Sequence, residues 1–99
     1  MAAAAGAAGA AGGLPRYVGL RAALLEALRE LGGEAELGQL LLHVWRRYGP
    51  GSRVRVVMRL YPRPGGGYWS PDAEEALHAL EAMGLIERRN GTIKLRPRR

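Results

Sequence analysis

The sequence predicts a single small α+β domain. Three observations carry that expectation. Apolar residues recur every three or four positions in three separate stretches, the signature of helices with one buried face. A segment in the middle of the chain alternates between apolar and basic residues, the signature of a strand. An Asn90-Gly91 dipeptide near the C-terminus is flanked by alternating residues and marks a tight hairpin. A chain of 99 residues has room for one such domain.

The first helix is predicted from Tyr17, Leu20, Leu24, Leu28 and Leu31, with Leu25 widening the stripe. Pro15 suits an early helical position because its missing N–H has no partner to lose there, and Gly32-Gly33 end the helix. The second helix is expected over about residues 35–48, burying Leu37, Leu40, Leu41, Val44 and Tyr48. Arg46 and Arg47 fall in its last turn, where cations complement the helix dipole. Glu34-Ala35-Glu36 is also able to pair as a short strand ahead of it. Between Arg53 and Tyr61, Val54, Val56, Met58 and Leu60 alternate with Arg53, Arg55, Val57 and Arg59, which predicts a strand with one arginine-lined face; a helix capped by Ser52 is the competing assignment. Pro62 to Gly67 carries two prolines and three glycines and is expected to be a mobile loop.

The third helix has the clearest start. Ser70 is a good N-cap, Pro71 fits the first helical position, and Asp72 and Glu74 suit the positive end. Ala73, Ala76, Leu77, Leu80 and Met83 form its buried face, and Gly84 caps it. A two-residue turn at Asn90-Gly91 then fixes the final register: Arg89 opposite Thr92, Arg88 opposite Ile93, Glu87 opposite Lys94, Ile86 opposite Leu95. The Glu87–Lys94 pair of opposite charge supports that register.

Charge is distributed in blocks. Residues 1–45 sum to −1, residues 46–63 carry six arginines and no acid, residues 64–87 sum to −5, and residues 88–99 sum to +6, for a net charge of +6. Two basic blocks in so short a chain point to one surface for a polyanion, the alternative being solvated faces. There are 14 Arg and a single Lys, with one Asn (Asn90) and one Gln (Gln39). That composition fits a thermophile, and equally a GC-rich genome that inflates Arg, Ala, Gly and Pro. Residues 1–13 are Met1 with alanines and glycines only, expected to form a flexible tail; residues 14–97 are expected to form the domain and 98–99 a basic end. With no cysteine there is no disulfide framework and no thiolate metal site. No apolar run reaches membrane-spanning length, and the N-terminus lacks the basic and strongly apolar regions of a signal peptide. A soluble cytoplasmic protein is expected.

Helix, short strand, helix, helix and hairpin is an order that resembles a winged helix-turn-helix domain. The run Leu80-Glu81-Ala82-Met83-Gly84-Leu85-Ile86-Glu87-Arg88-Arg89-Asn90-Gly91-Thr92-Ile93-Lys94-Leu95 looks like the end of a recognition helix passing directly into a wing. The resemblance implies an α+β winged-helix fold of three helices and a C-terminal β-hairpin wing, here with a basic strand-like insertion between the second and third helices (Gly49 to Trp69). Some ribosomal winged-helix proteins resemble it in having a basic insertion at that place. The third helix departs from the pattern. Its outer face carries Asp72, Glu74, Glu75, His78 and Glu81, and it offers no Arg, Lys, Asn or Gln able to read a base edge.

The functional expectation is a nucleic-acid-binding protein that is not an enzyme and needs no cofactor or metal. Arg46, Arg47, Arg53, Arg55, Arg59, Arg63, Arg88, Arg89, Lys94 and Arg96 are the candidate phosphate contacts. A small DNA-binding transcriptional regulator is the first reading. The others are an RNA-binding or ribosome-associated protein, and a protein-interaction module or homodimer using the acidic third helix or the first helix. Trp45, Tyr48, Tyr61, Tyr68 and Trp69 either pack the core and pin the loop or, for Tyr68 and Trp69, stack on unpaired bases. Ser52, Ser70 and Thr92 are the candidate nucleophiles, and Ser70 is better explained as a helix cap. His43 and His78 have no ligand spacing, and Gly65-Gly66-Gly67 lacks the lysine of a phosphate loop.

Overall fold

The computed structural model describes residues 14–97, so the expectations for residues 1–13 and 98–99 lie outside the described residues. The domain is mixed α+β. In chain order its elements are β1 (Arg16–Tyr17), α1 (Leu20–Glu30), β2 (Glu34–Glu36), α2 (Leu37–Tyr48), β3 (Val54–Arg55), β4 (Tyr61–Pro62), β5 (Tyr68–Trp69), α3 (Pro71–Ala82), β6 (Ile86–Arg89) and β7 (Thr92–Leu95). Helix α1 packs on both α2 and α3, and the helices pack on a three-stranded antiparallel sheet of order β2-β7-β6. Leu24, Leu28, Leu40, Leu41, Val44, Leu77, Leu80, Ile86 and Ile93 fill the space between them and are fully buried.

The α3–β6–β7 unit forms from local instructions. The Ser70 hydroxyl accepts the Ala73 N–H at 3.1 Å and caps α3. At the other end the Gly84 N–H donates to the Glu81 carbonyl and the Leu85 N–H to the Leu80 carbonyl, a Schellman closure that needs the positive φ of Gly84 (77°). The chain therefore reverses and lays Ile86 back onto the core. Asn90 (φ 54°) and Gly91 (φ 82°) make the type I′ turn, and the four register pairs are those the dipeptide predicted.

Four expectations need correction. The first helix does not extend back to Pro15 and Tyr17. The Arg16 and Val18 N–H groups donate to the Arg53 and Arg55 carbonyls at 2.8 and 2.9 Å, so this segment pairs in parallel with β3 and α1 starts only after Gly19. The second helix begins at Leu37 rather than 35. Glu34–Glu36 takes the strand alternative and pairs with β7, with Ala35 opposite Ile93.

The largest correction concerns the insertion. Only Val54–Arg55 of the expected Arg53–Tyr61 strand is paired in this ribbon, and the Ser52-capped helix is absent as well. Beyond Arg55 the backbone is held point by point. The Val56 N–H donates to the Tyr48 carbonyl, Met58 is buried, and the Arg59 N–H donates to Asp72 Oδ2 at 2.7 Å. With Val57 76% exposed, no arginine-lined strand face forms. The expected loop at Pro62–Gly67 instead closes a hairpin, with Tyr61 opposite Trp69 and Pro62 opposite Tyr68. The Arg63 N–H donates to the Gly67 carbonyl, and Gly65, Gly66 and Gly67 all take positive φ to make the turn.

Candidate nucleic-acid interface

The candidate phosphate-binding residues separate into those already bound by carboxylates and those left free. Arg59 grips Asp72 through both Nε (3.1 Å) and Nη2 (2.9 Å). Arg88 donates to Glu74 at 3.0 Å. Asp72 and Glu74 both lie in the first turn of α3, so the insertion and the C-terminal hairpin are each tied to the same helix end. Arg59's side chain and backbone N–H hold the Asp72 carboxyl below its ordinary range, and the carboxylate raises the Arg59 pKa in return. Arg47 shares Glu30 with His43: His43 Nε2 lies 2.7 Å from one carboxylate oxygen and Arg47 Nε 3.3 Å from the other. The hydrogen bond from His43, joined by that of Arg47, lowers the Glu30 pKa against the opposing effect of burial. The Arg47 guanidinium also lies 5.1 Å from the centre of the Tyr48 ring.

The C-terminal hairpin is less positive than its sequence block implies. Register places Glu87, Lys94 and Glu34 in one cross-strand row and Arg89, Thr92 and Glu36 in the next. Lys94 is thus flanked by two acids. These rows border a shallow groove of about 350 Å³ lined by Glu34, Glu87, Arg89, Asn90, Thr92 and Lys94. Arg88, opposite Ile93, is half-buried. Arg96 follows the hairpin and is exposed.

The insertion side keeps its charge. Arg46, Arg53 and Arg63 are exposed and make no ion pair among the described residues. Arg46 lies about 200° around α2 from the buried Val44, pointing away from the core. Arg55 donates from Nε to the Ser52 carbonyl at 2.7 Å, which fixes the arm and leaves its terminal nitrogens uncommitted.

Three of the aromatics, Tyr61, Tyr68 and Trp69, lie on the insertion. All six aromatic residues fall between positions 17 and 69. Only Tyr48 is buried; Tyr17, Trp45, Tyr61, Tyr68 and Trp69 are 38–58% exposed, and the remaining core is aliphatic. Core packing, one of the two readings of the mid-chain aromatics, therefore holds for Tyr48 alone. Tyr61 and Trp69 pair across the β4–β5 hairpin with ring centres 5.4 Å apart and planes tilted by 32°. Tyr17 and Trp45, neither of them expected to form a site, line a cleft of about 210 Å³ with Tyr48, Gly49, Pro50, Arg55, Val56 and Met58. Their signal in the sequence is the position of Trp45 on the flank of its helix stripe, one residue past the buried Val44.

Among the described residues no cluster of three or more His, Cys, Asp or Glu could hold a metal, and no helix is long and apolar enough to cross a membrane. The chain is an α+β domain with a basic, aromatic-bearing surface on the segment between its second and third helices. No family model, no curated protein and no solved structure matches the chain.

Proposed function

We propose that this chain is a winged-helix domain that binds nucleic acid through its phosphate backbone. The element order and the β2-β7-β6 sheet support the winged-helix topology. The observation that carries the function is the insertion surface. Arg53 and Arg63 stand exposed there and Arg46 on the end of α2 before it, all without carboxylate partners among the described residues, and the insertion also carries the half-anchored Arg55 and the exposed Tyr68 and Trp69. Arg89, Lys94 and Arg96 supply secondary contacts from the hairpin. Arg47, Arg59 and Arg88 contribute less, because Glu30, Asp72 and Glu74 already meet part of their charge.

Two targets fit this surface. Duplex DNA, with the role of a small transcriptional regulator, suits a wing laid along the sugar-phosphate backbone. Structured RNA is the second reading, favoured by the exposed aromatics, which a stacked duplex leaves idle, and by the carboxylates on the outer face of α3, which repel groove phosphates.

The test is fluorescence anisotropy with duplex DNA, single strands and a structured RNA over a range of salt. Affinity falls steeply with salt. On duplex DNA, Arg53→Ala and Arg63→Ala each reduce the logarithmic slope by roughly 0.9 for every phosphate left unneutralised. Arg59→Ala and Arg88→Ala reduce it less, because each also frees a carboxylate. Binding that is flat in salt, or equal slopes for all four variants, contradicts the proposal.

A further inference from the structure

The cleft between Tyr17 and Trp45 is a built site that the phosphate contacts do not explain. The parallel pairing of β1 with β3 sets Tyr17 beside Arg55, and both line the cleft. Trp45 lines it from α2. The Gly49 position brings the backbone against that residue: a Cβ there would lie 2.1 Å from the Trp45 carbonyl oxygen and 3.6 Å from the indole ring. Val56 and Met58 add apolar lining, and Tyr48 closes the cleft toward the core. The Arg55 side chain is braced by the Ser52 carbonyl, and the Tyr17 backbone by the ladder that the Arg16 and Val18 N–H groups make.

Two aromatic walls, an apolar lining and a held guanidinium match a nucleobase with its phosphate. Burying Tyr17 and Trp45 in the core was open to a chain that buries Tyr48 there; both rings instead face solvent. Arg55 is the charged residue among the cleft's lining, and no acid lines it. Proline-rich peptides also favour aromatic grooves, but they bring no phosphate for this arginine.

Resting on the reading of a nucleic-acid-binding surface, we propose that the Tyr17–Trp45 cleft captures one unpaired nucleobase, with Arg55 on the adjoining phosphate. The protein is thereby directed to unpaired nucleotides rather than to a continuous duplex.

The experiment follows tryptophan emission in full-length Trp69→Phe protein, which leaves Trp45 as the sole indole. Short oligo(U) and oligo(dT) are the probes, with a duplex and a proline-rich peptide as comparisons. Stacking predicts quenching of Trp45 by the single strands and little by the duplex. Tyr17→Ala weakens single-strand binding roughly ten-fold, within the range for removal of one base–aromatic stack. Tyr17→Phe retains binding, and duplex affinity is unchanged in both. A stronger effect of oligo(U) assigns the cleft to RNA and of oligo(dT) to DNA; either supports the site. Saturating single-strand binding without quenching, or with Tyr17→Ala at wild-type affinity, overturns the cleft and leaves the phosphate reading standing. Failure of every nucleic acid to bind overturns both, whereas quenching by the peptide alone overturns the cleft.

Discussion

Asp72 is the side chain on which the insertion turns. It accepts the Arg59 backbone N–H in place of a strand partner and pairs with the Arg59 guanidinium. Its folded pKa is depressed below the ordinary 3.8, mainly by the side-chain hydrogen bonds from Arg59. The stabilisation is therefore present above that ordinary value and disappears as pH falls through the lower, folded one. Urea midpoints of wild type and Asp72→Asn should differ by a constant amount near neutral pH and converge on acidification below pH 3.8. A gap that persisted in acid would mean that the carboxylate charge is not what matters. Helix-start chemistry alone places Asp72 in the first turn of α3 and gives it the helix dipole as its only partner. Arg59 lies 13 positions away and reaches it through tertiary folding. For Arg88 the Asn90-Gly91 register gives the place opposite Ile93, while its pairing with Glu74 comes from tertiary folding.

Among the elements, those decided within a few residues were readable. Helix α3 has its cap at Ser70, its stop at Gly84 and its hairpin turn all written locally. Removing the Ser70 hydroxyl in Ser70→Ala should cost about 1 kcal/mol. Gly84→Ala should cost about 1–2 kcal/mol through the left-handed conformation alone, since a Cβ there meets nothing within 4 Å. The two sites sit at opposite ends of a 12-residue helix, so the double variant should lose close to the sum by thermal or urea denaturation. The elements that were misread answer to distant partners. Pro15 and the Tyr17 spacing look helical, yet Arg16 and Val18 find better partners in the Arg53 and Arg55 carbonyls. The alternation from Arg53 to Tyr61 looks like a strand, but β1 ends at Tyr17 and nothing continues past Arg55 to complete a ladder. In the candidate site, the arginines were legible as charge; which of them carboxylates had already claimed was not.

At the scale of the molecule, one aliphatic core holds the three helices and the sheet, and most of the aromatics stand on the surface. Leu77 lies in that core with no exposure. Leu77→Ala should cost about 2–5 kcal/mol, a large part of the roughly 5–15 kcal/mol available to a domain of this kind. The effect is read as a fall in the far-ultraviolet circular dichroism midpoint; a change under about 1 kcal/mol would show that α3 is not integral to the core. The two occupied guanidiniums at the start of α3 have a further consequence. An anion arriving at Arg59 or Arg88 competes with a resident carboxylate for the guanidinium charge, so engagement there is weaker than at an unpaired arginine. A dilute monovalent ion has little to offer in that exchange, whereas a chain of phosphates already seated on the vacant arginines arrives at high local concentration. On the proposed reading, these two positions would engage only after the vacant arginines have, answering to a polymer rather than to a single small anion.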